Sequence, residues 1–78
     1  MKDIGQKLKL KREENGLAIE EVANDLKLRP NQISSIENGD KDDFNDVFEM
    51  KNIIREYAKY LGLDEEKLID EFNEYMFD

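Results

Sequence analysis

Residues 28–39 read Leu-Arg-Pro-Asn-Gln-Ile-Ser-Ser-Ile-Glu-Asn-Gly, "LRPNQISSIENG". Pro30 suits the first turn of a helix, where its missing N–H costs nothing, and Gly39 suits the left-handed residue just past a helix end. Between them Ile33 and Ile36 recur three apart, and small polar residues fill the other faces. The stretch has the length and face pattern of a recognition helix. Whether it reads bases or only keeps that shape depends on its surroundings.

The same punctuation runs outward along the chain. Helical spacing of apolar residues predicts five helices, at about 4–14, 19–26, 30–38, 46–61 and 65–77, and no strands. Asp3 is the expected N-cap of the first helix with Gln6 as capping-box partner, and Ile4 and Leu8 face inward before Asn15-Gly16 stops it. The second helix buries Val22, Ala23 and Leu26. The fourth carries Met50, Ile53, Ile54, Tyr57, Ala58 and Leu61 and ends at Gly62. Asp64 caps the fifth, where Leu63 and Leu68 form a hydrophobic staple and Phe72, Tyr75 and Met76 continue the buried face. The expected fold is an all-α, compact five-helix bundle spanning 1–78 as a single helix-turn-helix domain.

Composition narrows the function. At 78 residues the chain holds one small core, burying about 60% of its unfolded surface. It has no cysteine, so no disulfide or thiolate chemistry, and no histidine, the commonest general base and metal ligand. Carboxylates are plentiful, yet none is grouped with a nucleophile, and no glycine-rich phosphate loop is present. "DKDDFND" at 40–46 lacks the turn glycine and the twelfth-position glutamate of a calcium loop. These features predict a non-enzyme with no metal, no cofactor and no small-molecule substrate. The N-terminus lacks a signal-peptide core, and no apolar run reaches the roughly 18 residues of a membrane span.

The net charge of −8 is unevenly placed. Residues 1–30 carry seven basic and six acidic side chains, and residues 31–78 carry five basic and fourteen acidic. A polyanion would therefore meet the first half. Two short helices joined by "KLRP" have helix-turn-helix spacing. At the start of the third helix Asn31 and Gln32 have the groups to read adenine, and Ser34 and Ser35 can reach several bases. Lys27 and Arg29 stand just before it, and Lys7, Lys9 and Lys11 lie on the first helix. Double-stranded DNA is thus the expected partner, against the plainer reading of these positions as a solvated helix face. Phosphate clamping is sparse: Ala18 and Ile19 open the second helix, Ala18 gives up a cap worth about 1 kcal/mol, and Asp42 and Asp43 follow the third.

"GLAIEEVANDLKLRPNQISSIENG" (16–39) resembles the helix-turn-helix of the phage-repressor (Cro/repressor) class. That resemblance implies a structural ion pair between the first-helix arginine, Arg12, and the glutamate after the recognition helix, Glu37. "IGQKLKLKREENGLAIEEVANDLKLRPNQISSIENGD" (4–40), followed by "IIREYAKYLGLDEEKL" (53–68), is similar to the cytoplasmic domain of the RodZ family, of which YmfM proteins are members. The resemblance implies a longer single-pass membrane protein with this domain on the cytoplasmic face, tethered through a segment outside these residues. It also implies a bacterial role in cell shape, by docking onto an actin-like cytoskeletal or division partner. Where the family reads Pro-Gly-Pro-Val-Tyr-x-Arg-Gly-Phe, this chain has "NDVFEMKNI" at 45–53, so the family's aromatic anchors fall on Glu49 and Ile53. Tyr57 remains, and reads either as a contact or as a core tyrosine. The alternative function is therefore a protein adaptor using Glu49, Ile53, Ile54 and Tyr57 on the fourth helix.

Overall fold

The computed structural model describes residues 2–77, with the side chain of Phe77 also outside the description, and folds them into five helices with no strand among them. They are α1 (Lys2–Glu14), α2 (Ile19–Leu26), α3 (Pro30–Asn38), α4 (Val47–Leu61) and α5 (Glu65–Phe77). The fold is an all-α bundle containing a helix-turn-helix. Its α4 and α5 lie side by side, α1 packs on α3, α4 and α5, and α2 packs on α3 and α4. One core runs through all five helices, with Leu8, Val22, Ile33, Ile36, Ile54, Tyr57, Ala58 and Phe72 wholly buried at its centre.

The helix ends follow local chemistry. Asp46 is the N-cap of α4, its carboxylate accepting from the Glu49 N–H at 2.8 Å, and Asp64 accepts from the Lys67 N–H at 3.2 Å at the start of α5. Ala18 caps α2 without a side-chain oxygen, yet Glu21 reaches back and accepts the Ala18 N–H at 3.0 Å. Half of a capping box thus offsets part of the loss expected from alanine. The first helix departs from expectation: it starts at Lys2, so Asp3 lies inside its first turn and cannot be its N-cap. There the carboxylate still complements the helix dipole. Tyr75 departs too, being 58% exposed where a buried face was expected.

Gly5 shows why α1 sits where it does. Any Cβ at this position would overlap the carbonyl oxygens of Ile36 and Glu37, so only glycine lets α1 lie against the last turn of α3. That contact brings Arg12, two turns further along α1, to the end of α3.

Candidate nucleic-acid interface

The last turn of α3 is fixed from inside. The Arg12 guanidinium donates from Nε to Glu37 Oε2 at 2.7 Å and from Nη2 to Oε1 at 3.1 Å, and its Nη1 donates to the Leu17 carbonyl at 2.8 Å. The Tyr57 hydroxyl donates to Glu37 Oε2, the oxygen that also accepts from Arg12 Nε, at 2.5 Å. Arg12 and Glu37 are 8% and 6% exposed, and Tyr57 is fully buried. This bidentate pair, completed by a tyrosine, ties α1, α3 and α4 together. The carboxylate hydrogen bond holds the Arg12 pKa above its usual value despite burial. Burial first, and then the Glu37 carboxylate, push the Tyr57 phenol far above its ordinary range. Glu37 is fully engaged within the fold.

The turn into α3 is built by Lys27, which holds a left-handed conformation (φ 58°) while Leu28 N–H donates to the Ala23 carbonyl at 2.8 Å. Among the described residues Lys27 is the only non-glycine with positive φ. A glycine would take this geometry without the roughly 1–2 kcal/mol that a Cβ costs there. Lys27, Arg29 and Asn31 are all exposed at the entry to α3, and Ser34 is half-buried beside them. Among the described residues neither Lys27 nor Arg29 takes part in an ion pair.

Two of the expected base-reading residues are occupied elsewhere. Gln32 is 8% exposed, and its side-chain oxygen accepts the Arg29 N–H at 3.1 Å, doing the work that a capping carboxylate does at other helices. Ser35 is 6% exposed and its hydroxyl donates to the Asp43 carboxylate. The acidic loop therefore lies against α3 instead of trailing away from it. On α1, Lys7 pairs with Glu71 of α5 at 2.8 Å and Lys11 with Glu14 at 3.6 Å, which leaves Lys9 half-buried and outside any ion pair among the described residues. At the entry to α3 itself the exposed cations are Lys27 and Arg29.

The apolar part of the fourth-helix patch does not reach the surface. Ile53, Ile54 and Tyr57 are 6%, 0% and 0% exposed, because α4 is covered by α1, α2 and α5 on more than one side. Glu49 is half-buried and its carboxylate accepts from the Asn45 N–H and Nδ2 at 3.2 and 3.0 Å. The aromatic that α4 does display is Phe48, 63% exposed, with Asn52 and Arg55 on the same face. A signal for it was present. Phe48 stands two residues before Met50, about 200° round the helix from the buried stripe. Further along α4, the Tyr60 hydroxyl donates to Asp25 of α2 at 2.5 Å, and that carboxylate raises the Tyr60 pKa.

Among the described residues no three His, Cys, Asp or Glu side chains gather as metal ligands, and no helix is long and apolar enough to cross a membrane. A family model described as a helix-turn-helix domain matches residues 7–68, from α1 into α5. No curated protein and no solved structure matches the chain.

Proposed function

The chain belongs to this family of helix-turn-helix domains, and we propose that it is a non-catalytic module that engages duplex DNA weakly through the N-terminal end of α3. One observation carries the reading: Lys27 occupies a left-handed turn that glycine would fill more cheaply, and it stands exposed beside Arg29 and Asn31. Retaining a costly side chain at a turn is the mark of a position with work beyond folding. In this reading Lys27 and Arg29 neutralise phosphates, Asn31 reads a base edge, and Ser34 reaches in beside it. Gln32 and Ser35 take no part, because the fold uses them. With two exposed cations at the entry to α3 and a chain net charge of −8, affinity is low and falls with salt by a slope of about −2.

The RodZ-like arrangement of 4–40 and 53–68 supports a finer proposal, that the module sits on the cytoplasmic face of a membrane protein concerned with cell shape. Tethering there raises the effective concentration of any weak partner. The test is fluorescence anisotropy of a labelled duplex as salt is raised. Wild-type affinity is expected to fall log-linearly, and Lys27→Ala/Arg29→Ala to reduce the slope by about two. An unchanged slope, or no binding at low salt, overturns the reading.

Phe48 favours a second reading, docking of an actin-like or division partner through α4. An exposed aromatic with an arginine on the same face is the usual composition of an interface anchor. Loss of co-sedimentation with such a filament by Phe48→Ala, with duplex binding retained, would support it.

A further inference from the structure

Asp43 touches α3 at Ser35, one helical turn from Asn31, so its carboxylate sits about 5–6 Å along the axis from the exposed end of the helix. The loop is held in that position at both ends. At its start Gly39 turns the chain in the left-handed conformation and Asp40 N–H donates to the Ser35 carbonyl at 2.9 Å. Asp40 also accepts from the Asp42 N–H at 2.9 Å, and at the far end Phe44 is packed against the core. Residues 40–43 thus present three exposed carboxylates and one ammonium alongside α3. A duplex seated on Asn31 would bring its phosphates toward this loop, and unscreened charge acts over about 10 Å at 0.1 M salt.

We infer that the 40–43 loop is an acidic clasp, tied to α3 by Ser35 and Asp43, that holds the helix-turn-helix in a low-affinity state. This deepens, and rests on, the proposed duplex binding. The clasp acts in two ways. It occupies the Ser35 hydroxyl, and it places negative charge where the polyanion must approach. Release of Asp43 opens one further polar group of α3 and moves the charge away.

The test is duplex anisotropy at about 20 mM salt, where charge effects are least screened. Four variants are compared with wild type. Asp40→Asn/Asp42→Asn/Asp43→Asn neutralises the clasp. Glu66→Gln/Asp70→Asn/Glu74→Gln removes the same charge from the exposed face of α5, which packs on α4 and α1. Asp43→Ala removes charge and tie, and Asp42→Ala removes charge alone. The expected result is a gain of about tenfold or more for the loop triple variant, a clearly smaller gain for the α5 variant, and a larger gain for Asp43→Ala than for Asp42→Ala. Equal gains from loop and α5 variants would mean that net charge alone is at work, and equal gains from the two alanine variants would mean that the tie is idle. Either result overturns the clasp and leaves duplex binding standing. No binding by any variant overturns both.

Discussion

Replacing Glu37 by Gln keeps the side-chain shape and removes its charge, leaving the Arg12 guanidinium 8% exposed with no counter-ion. Removing one partner of a buried pair costs about 3–5 kcal/mol, because the other charge remains desolvated. A domain of 78 residues has roughly 4–12 kcal/mol in total, so the variant loses a large share of its stability. With a urea m-value of about 1 kcal/mol/M for so small a chain, the midpoint falls by about 3–5 M. The melting temperature falls by about 12–40 °C. Arg12→Met strands Glu37 instead, and is expected to cost a similar amount. The pair Arg12→Met/Glu37→Leu is different, since no charge is left behind. Its main residual penalty is the Tyr57 hydroxyl, which has lost its acceptor and costs about 1–3 kcal/mol. Adding Tyr57→Phe removes that penalty, so the triple variant should be more stable than either single variant. Urea unfolding followed by circular dichroism reads all four. If each single substitution costs under about 1 kcal/mol, the pair behaves as an exposed one and the reasoning fails.

Gly5→Ala gains about 1 kcal/mol of helix propensity in isolation, yet here it is expected to destabilise by more than about 3 kcal/mol; a stabilised variant in urea unfolding would refute the close approach of α1 to α3. Lys27→Gly is expected to stabilise by about 0.5–1 kcal/mol by relieving the left-handed turn, while weakening duplex binding through the lost charge. Both readouts moving together would contradict the trade-off. Because the Tyr57 pKa is raised on folding, its contribution to stability is complete below the unfolded phenol's pKa of about 10. Above that pH the unfolded phenol ionises while the folded one stays protonated, so stability falls as pH rises. Stability measured from pH 9 to 11 should decline less steeply in Tyr57→Phe than in wild type, and an equal decline would rule out this source.

The elements that carry their own punctuation were legible in the sequence. Pro30 and Gly39 bound α3, Asp46 and Gly62 bound α4, and the period of Val22, Ile33, Ile36, Ile54 and Leu61 identified the buried faces. What escaped the sequence depends on partners distant along the chain. Gln32 reads as a base-contacting side chain until the Arg29 N–H is placed beside it, and Ser35 until the loop turns Asp43 back onto it. Ile53, Ile54 and Tyr57 belonged to the apolar stripe of the fourth helix and could also serve as the patch, because periodicity finds such a stripe without saying whether another helix covers it. Three neighbouring helices cover this one. Tyr75 fails for the converse reason: it lies at the edge of the stripe formed by Leu68, Ile69, Phe72 and Met76, and among the described residues no helix covers that edge.

The two ends of α3 consequently do different work. From Ser35 onward the helix belongs to the fold: Ile36 is in the core, Glu37 is bonded to Arg12 and Tyr57, and the Ile36 and Glu37 carbonyls bear against Gly5. At the start, Lys27, Arg29 and Asn31 are exposed, and the structure demands little of their side chains. Selection on binding can act on that end without disturbing the core, and a substitution's position along the helix therefore foretells its effect. Changes at 36–37 register as lost stability at any salt concentration. Charge-removing changes at Lys27 and Arg29, and Asn31→Ala, are expected to register mainly in the proposed duplex affinity, the lysine and arginine through its salt dependence. Ser35 stands at the boundary, and its hydroxyl is where a change in the acidic loop can be felt by the exposed end.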